Sequence, residues 1–282
     1  NIQAGTVVLV RSTVVPGTTE TFCLPLIEKL SGLKAGKDFF IAYVPERIAE
    51  GKAFDEFVTM PTLIGASDEK TASLAEQIIR INSTAEIIHS DSIIAVETAK
   101  VLENLQRDTN IAIVQEFARF AENAGMDTFE VIRLANTHRR VNLLSPGPGV
   151  GGYCIPNAFH YLNAKARTLQ VPLPLLQKAR EMNESLPTFF VDKTVELLNE
   201  AGRGIHGAKI AVIGLAMKDH SPDDRLSPSV YICEEALRRG AIIAAYDPNV
   251  AASYPYKVQT LKEACQDADA LLILNTIDAG FD

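Results

Sequence analysis

No apolar run in the 282 residues reaches the ~18 needed to cross a bilayer, and no signal-like segment opens the chain. A membrane partner is therefore not expected. Basic residues are in deficit: 27 Lys and Arg stand against 35 Asp and Glu, a formal net charge of −8. That balance argues against nucleic acid or an anionic surface as the main partner, and leaves room for a local basic pocket that takes a phosphorylated small molecule. Cysteine is scarce. Cys23, Cys154, Cys233 and Cys265 lie far apart with no C-x-x-C spacing, which speaks against a zinc site and a disulfide framework, so reduced thiols, no metal and a cytoplasmic location are the expectation. There is no repeat at solenoid spacing and no methionine before Met60. Strand-like runs stand close to both ends, so the chain is expected to be a piece of a longer protein, cut inside a domain at each end.

What is present is a large apolar fraction, 47% of residues, enough for two cores of ordinary domain size at roughly 150 residues each. The first ~90 residues alternate β-branched runs with helical patterns, as expected for a parallel sheet with covering helices. Thr6–Val15 and Asp38–Val44 read as strands, Glu20–Leu30 and Lys70–Ile81 as helices. From Ser92 the apolar residues Ile93, Val96, Val101, Leu105, Ile111, Val114 and Phe117 recur at helical spacing, with Asp91 or Ser92 as N-cap and Gly125 as the stop. A shorter helix follows over Asp127–Ala135, and helical signal resumes from about Phe159 to Ala201. A second α/β segment starts at Lys209, with strands at AKIAVIGLA, AIIAAYDP and ALLILNT and helices at Val230–Arg239 and Leu261–Gln266. The expected division is 1–91, 92–204 and 205–282.

SPGPGVGGYCIP (Ser145–Pro156) is the densest chemical signal. Its glycines permit positive φ and close backbone approach to a ligand. Cys154 follows them ahead of a helix, where backbone dipoles favour the thiolate. The competing reading is a structural loop with a small buried cysteine. Lys100 and Asn104 stand four apart on a helix, hence on one face. Glu46 and Glu50 stand four apart after a strand end, where open α/β sheets bind ligands, and either is a candidate general base. After the strand at Lys209, the run Gly214–Ser229 is not G-x-G-x-x-G, yet Lys218 and Arg225 are placed to reach phosphates, with Ser227 or Ser229 capping the next helix.

Five stretches in order, STVVPGTTE, VPERIAEG, ETAKVLENLQRDTNIAI, THRRVNLLSPGPGVGGYCIP and IGLAMKDHSPDDRLSPS, resemble the UDP-glucose/GDP-mannose dehydrogenase family of nucleotide-sugar 6-dehydrogenases. The likeness covers essentially the whole chain. It implies two Rossmann-like α/β domains, both cut short here, joined by a central long-helix region that makes a homodimer or higher oligomer. It implies NAD as cofactor and a UDP-sugar as substrate, in polysaccharide biosynthesis. About the first hundred residues of the family pattern, with its G-x-G-x-x-G fingerprint, are missing.

The family's chemistry implies two hydride transfers, with Cys154 holding the aldehyde as a thiohemiacetal and then as a thioester that water cleaves. By position, Lys100 and Asn104 match the oxyanion-stabilising lysine and its helix partner. Glu46 matches the hydrolytic base, and Thr13 and Glu50 match residues that shape the water and substrate site; Thr13 and Glu46 also match cofactor contacts. Arg140 matches an arginine that reaches the neighbouring subunit's substrate, while Gly151 and Lys218 match substrate contacts. The run RVNLL resembles members that act on UDP-N-acetylhexosamines, with UDP-N-acetylmannosamine first and the galactosamine and glucosamine analogues after it.

There is one departure. The family continues C-I-P-x-D-P after its cysteine, whereas here CIPNAFHY puts Ala158 where Asp is expected. Asn157 and His160 are the neighbours able to take its place. Two other functions fit parts of the pattern: a single-step β-hydroxyacid or 6-phosphogluconate type dehydrogenase, which also carries Lys and Asn four apart, and a catalytically silent sugar-nucleotide binder.

Overall fold

A computed structural model describes residues 2–48 and 53–277. The chain divides into two compact units, the first made of Asn1–Leu105 and Ala158–Leu173, the second of Gln106–Asn157 and Pro174–Asp282.

In the first unit, β1 (Val7–Val10), β2 (Phe40–Tyr43), β3 (Thr62–Gly65) and β4 (Ile87–Ser90) form a sheet in sequence order. β1 and β2 are parallel, as are β3 and β4. The sequence predicts parallel pairing throughout, but β2 meets β3 antiparallel through Tyr43 and Gly65. A parallel pair needs a crossover that returns to the far end of the sheet. The seven-residue helix α2 (Ala53–Thr59) between these strands leaves and re-enters at one end instead. The strand β2 is buried along its whole length. Its two-residue alternation sends Ala42 to one face, with Val44 beyond it, against Ala75 and Ile79 of α3 (Glu69–Ile79). Tyr43 goes to the other face with Ile93 and Val96 of α4 (Ile93–Asn123). A π-turn at Thr19–Cys23 leads into α1 (Leu24–Ser31), which Gly32 ends at φ 73°. The strands β3 (TLIG) and β4 (IIHS) escape the sequence reading because Thr, Gly, His and Ser cut short their apolar runs, whereas the equally short β1 and β2 are apolar throughout; α2 is only seven residues long.

The helix α4 begins where the sequence places it. The Ser92 hydroxyl accepts the Ala95 N–H at 3.3 Å, and Gly125 follows its end at φ 68°. The helix α5 (Thr128–Ala135) carries Asp127 as its cap, accepting from Phe129 and Glu130. The single helical stretch expected over 159–201 is instead three helices: α6 (Cys154–Thr168), α7 (Pro174–Glu184) and α8 (Leu186–Glu200). Pro172 and Pro174 follow the left-handed Gln170 (φ 56°) and forbid continuity at the first break.

In the second unit, β5 (Lys209–Ile213) lies between β6 (Ile242–Tyr246) and β7 (Ala270–Ile273), all parallel. α9 (Pro228–Arg238) packs on α8 over a core of Val191, Ile210, Val212, Ile232 and Ile243. The other face of β5 carries Ala211 and Ile213 against Ala264 of the short helix α10 (Leu261–Cys265). A central parallel strand covered on both faces has to be apolar throughout, which is the pattern AKIAVIGLA supplies.

Candidate active site

Cys154 is the first residue of α6, five residues earlier than the sequence-based helix start, and its side chain is exposed. The thiol therefore stands at the positive end of a fifteen-residue helix. The loop before it is held from below by buried amides of α4. Asn110 donates to the Asn142 carbonyl at 2.6 Å and accepts the Leu144 N–H at 3.0 Å; Gln115 donates to the Gly147 carbonyl at 2.7 Å. Sequence reasoning passed over both amides. Their one signal is a polar side chain recurring among the apolar positions of a helix.

Close approach to neighbouring protein atoms accounts for Gly151 and Gly152. A Cβ on Gly151 would stand 2.7 Å from Met217 Cβ and 2.9 Å from the Leu226 carbonyl oxygen. Gly152, at φ 72°, would meet Met217 Sδ at 2.6 Å, and its N–H donates to the Arg225 carbonyl at 2.8 Å. The structure thus joins Gly151 and the cysteine loop to the run that carries Lys218, itself exposed. Arg225, expected from the sequence as a phosphate contact, has its Nε 2.9 Å and 3.0 Å from the two Asp223 carboxylate oxygens. Its guanidinium also lies 5.2 Å from the Tyr153 ring centroid, and the pairing holds the Asp223 carboxyl below the usual carboxylate range. Ser227 caps α9, accepting from Ser229 N–H at 3.2 Å. Arg140 lies in the exposed turn after α5.

The first unit holds the other candidates. Thr13, half-buried, follows β1, and Glu46 follows β2. Beyond the strands the ladder continues, with Val44 N–H to the Val10 carbonyl at 2.9 Å and Glu46 N–H to the Arg11 carbonyl at 3.3 Å. Both candidates thus emerge side by side at the carboxyl ends of parallel strands, the usual ligand edge of an open α/β sheet. The Glu46 carboxylate accepts the Ile48 N–H. On α4, Lys100 is half-buried and Asn104 only 2% exposed. Glu97, fully buried and absent from the sequence-based set, accepts the Gly17 and Thr19 N–H groups at the entry to α1. Burial, with Glu97 and Glu103 nearby, pushes the Tyr43 hydroxyl well above its usual pKa. Ala158 is completely buried. Glu50 lies outside the described residues.

A dinucleotide needs free backbone N–H groups at a helix N-terminus for its pyrophosphate. Two helix entries and the turn after β5 are already filled by side chains. Glu97 fills the turn before α1, and Asp68 caps α3, accepting Thr71 N–H at 2.8 Å. After β5 the Asp247 carboxylate, at the end of β6, accepts Leu215 N–H at 2.8 Å and Ala216 N–H at 3.1 Å. The polar groups left at the carboxyl edge of β1 and β2 are the Thr13 hydroxyl and the Glu46 carboxylate. Among the described residues there is no cluster suited to a metal ion, and no helix is long and apolar enough to cross a membrane.

A mixed-sheet α/β unit, a parallel α/β unit, a 31-residue helix and a cysteine opening a helix after a glycine loop define the class: a nucleotide-sugar dehydrogenase architecture. The chain belongs to the UDP-glucose/GDP-mannose dehydrogenase family: residues 1–82 match its NAD binding domain, 95–185 its central domain and 211–279 its UDP binding domain. It is 38% identical over 272 residues to a UDP-N-acetyl-D-mannosamine dehydrogenase of Pyrococcus horikoshii, covering 96% of this chain and 63% of that protein. It is 33% identical over 252 residues to a UDP-N-acetyl-D-glucosamine 6-dehydrogenase of Pseudomonas aeruginosa, covering 89% and 59%. A solved structure of a UDP-D-ManNAc dehydrogenase from P. horikoshii superposes with a TM-score of 0.90 at 36% identity, over 97% of this chain and 63% of that one. The chain thus spans about three-fifths of the length of these relatives.

Proposed function

We propose that the natural protein oxidises the 6-hydroxyl of a UDP-N-acetylhexosamine, UDP-N-acetylmannosamine first, to the uronate in two steps with NAD. The observation that carries this reading is Cys154: an exposed thiol at the first residue of α6, on a loop anchored by buried amides. NAD, when bound, accepts hydride. The cysteine adds to the resulting aldehyde and holds it covalently as a thiohemiacetal, and after the second oxidation as a thioester. Lys100 and Asn104 supply hydrogen-bond donors to the oxygen that becomes negative. Glu46 takes the proton of the water that cleaves the thioester. Thr13 and Glu46 contact the cofactor, Glu50 and Thr13 shape the water and sugar site, and Gly151 and Lys218 contact the substrate.

The proposed organisation is a cofactor part over 1–91, a helical part over 92–204 and a UDP-sugar part over 205–282. The helical part joins two copies, with Arg140 reaching the partner's substrate. Leu102, Ile113 and Phe120 support the dimer: they project from one stripe of α4 and are 55%, 55% and 62% exposed. The cytoplasm is the proposed location.

The test is a panel of UDP-sugars with the complete protein, following NADH and acid. Two NADH per sugar, fastest with the N-acetylmannosamine compound, is expected. One NADH per sugar points to the single-step dehydrogenase and sinks the cysteine mechanism. Buried Ala158 favours one other reading, a silent sugar-nucleotide binder. Binding of UDP-sugars without NADH formation decides for it.

A further inference from the structure

Two acidic residues of α4 flank the Lys100–Asn104 face, and each ties a different loop to the helix. Glu97 holds the turn that follows Thr13, through the Gly17 and Thr19 amides. Glu103, next to Asn104, stands 2.7 Å from Arg47 Nη2, and Arg47 is next to Glu46. The two side chains are 24% and 28% exposed. Arg47 Nη1 donates to the Pro61 carbonyl at 2.6 Å, just ahead of β3. The guanidinium thus spans α4 and the start of a strand, and its planar fork fixes both directions at once. On its other side the Glu46 backbone is held by the extended β1–β2 ladder.

An ion pair still a quarter exposed adds only modestly to stability, because solvent partly screens it and ordering two long side chains costs entropy. Its distinctive effect is geometric: the pair fixes one backbone position between a helix and a sheet. We propose that the Arg47–Glu103 pair is a positioning device that sets the Glu46 carboxylate relative to Lys100 and Asn104. The proposal rests on the function described above, and it concerns only how Glu46 is held.

The test uses the complete protein with Arg47→Gln, Glu103→Gln and the exchanged pair R47E/E103R. Each single variant is expected to lower kcat by at least about tenfold, since displaced catalytic groups lose rate steeply. KM for the sugar nucleotide should stay within about twofold, and amide exchange at Val44–Ile48 should accelerate. The exchanged pair should recover most of the lost rate and most of the protection. A merely structural role predicts a lower melting temperature, with kcat unchanged at temperatures where the variants stay folded. Unchanged loop protection in the single variants, or no rescue by the exchange, overturns the proposal. If the unaltered protein turns over no UDP-sugar, the functional reading falls. Loop exchange then decides the pair alone: protection lost and regained supports it, and unchanged protection removes it.

Discussion

Glu97 sends its carboxylate into the turn before α1, where Oε1 accepts the Thr19 N–H at 2.9 Å across 78 residues of sequence. The same carboxylate accepts the Gly17 N–H, so one buried side chain satisfies two amides that helix entry leaves open. Replacing it with alanine strands both donors away from water. Glu97→Ala should cost about 2–6 kcal/mol, the desolvation penalty of two unpaired groups. Glu97→Gln keeps one acceptor and should cost less. Urea unfolding of the two variants orders them, and equal stability would contradict the capping role.

Cys154→Ser should stop acid formation and leave UDP-sugar binding detectable, because the serine hydroxyl is a weaker nucleophile that keeps the site's shape. Product analysis by mass spectrometry together with calorimetric binding checks both halves. Undiminished uronate production would remove Cys154 from the mechanism.

The thiols should separate by reactivity. Burial pushes the Cys233 thiol up to about 12, so it stays protonated and sealed at neutral pH. Cys154 and Cys265 are exposed. Iodoacetamide on the folded protein should alkylate these two and reach Cys233 only after unfolding, as read by peptide mapping. Early labelling of Cys233 would refute this packing.

Asp108 is 1% exposed on α4, and it accepts from Arg180 Nη1 at 2.8 Å and from Asn183 Nδ2 at 2.7 Å. Burial raises its pKa above the usual carboxylate value, against the opposing pull of Arg180 and Asn183. A raised folded-state value means that the native protein binds this proton more tightly than the unfolded chain does. The contribution is therefore full below the ordinary carboxylate pKa and is lost as pH rises through the raised value. Asp108→Asn should flatten that part of the stability profile, measured from about pH 4 to about pH 8. A profile as steep as the parent's would reverse the assignment. Arg180→Met, by contrast, leaves a buried charge uncompensated and should cost about 3–5 kcal/mol.

Glycines of the cysteine loop should differ sharply. Gly151→Ala forces Cβ to within 2.7 Å of Met217 and 2.9 Å of a carbonyl oxygen, and overpacking of this kind costs about 1–3 kcal/mol. Gly147 has nothing within 4 Å of a Cβ, so Gly147→Ala should be nearly neutral. Thermal unfolding of the pair checks the contrast, and equal shifts would contradict it.

Much of this was legible before any coordinates. The long apolar periodicity from Ile93, the Ser92 cap and the Gly125 stop gave α4, since a helix with a repeating buried stripe writes its period into the sequence. The central strand β5 was readable because burial on both faces leaves no polar gap. Short strands with polar interruptions were not: in IIHS and TLIG the His, Ser, Thr and Gly leave too brief an apolar run to separate strand from loop. Nor was the reversal at β2–β3, which depends on where α2 re-enters the sheet. At the site, residue types pointed to Cys154, Lys100, Asn104 and the pair Glu46 and Glu50, and the family likeness chose Glu46 as the base. Glu97, Asn110 and Gln115 stayed hidden because a polar residue on a helix ordinarily faces water, and only the fold shows that these three face inward.

Asp247 and Ser227 bear on association as well as on shape. They grip the 214–229 segment through its own backbone amides and hydroxyl partners before any ligand arrives. Ordering that stretch is thus settled during folding. On the proposed function, a sugar nucleotide engaging Lys218 would meet a pre-shaped ledge, and the protein would lose little conformational freedom on docking. Binding at this edge should therefore be governed by how fast the ligand leaves rather than by a slow closure around it.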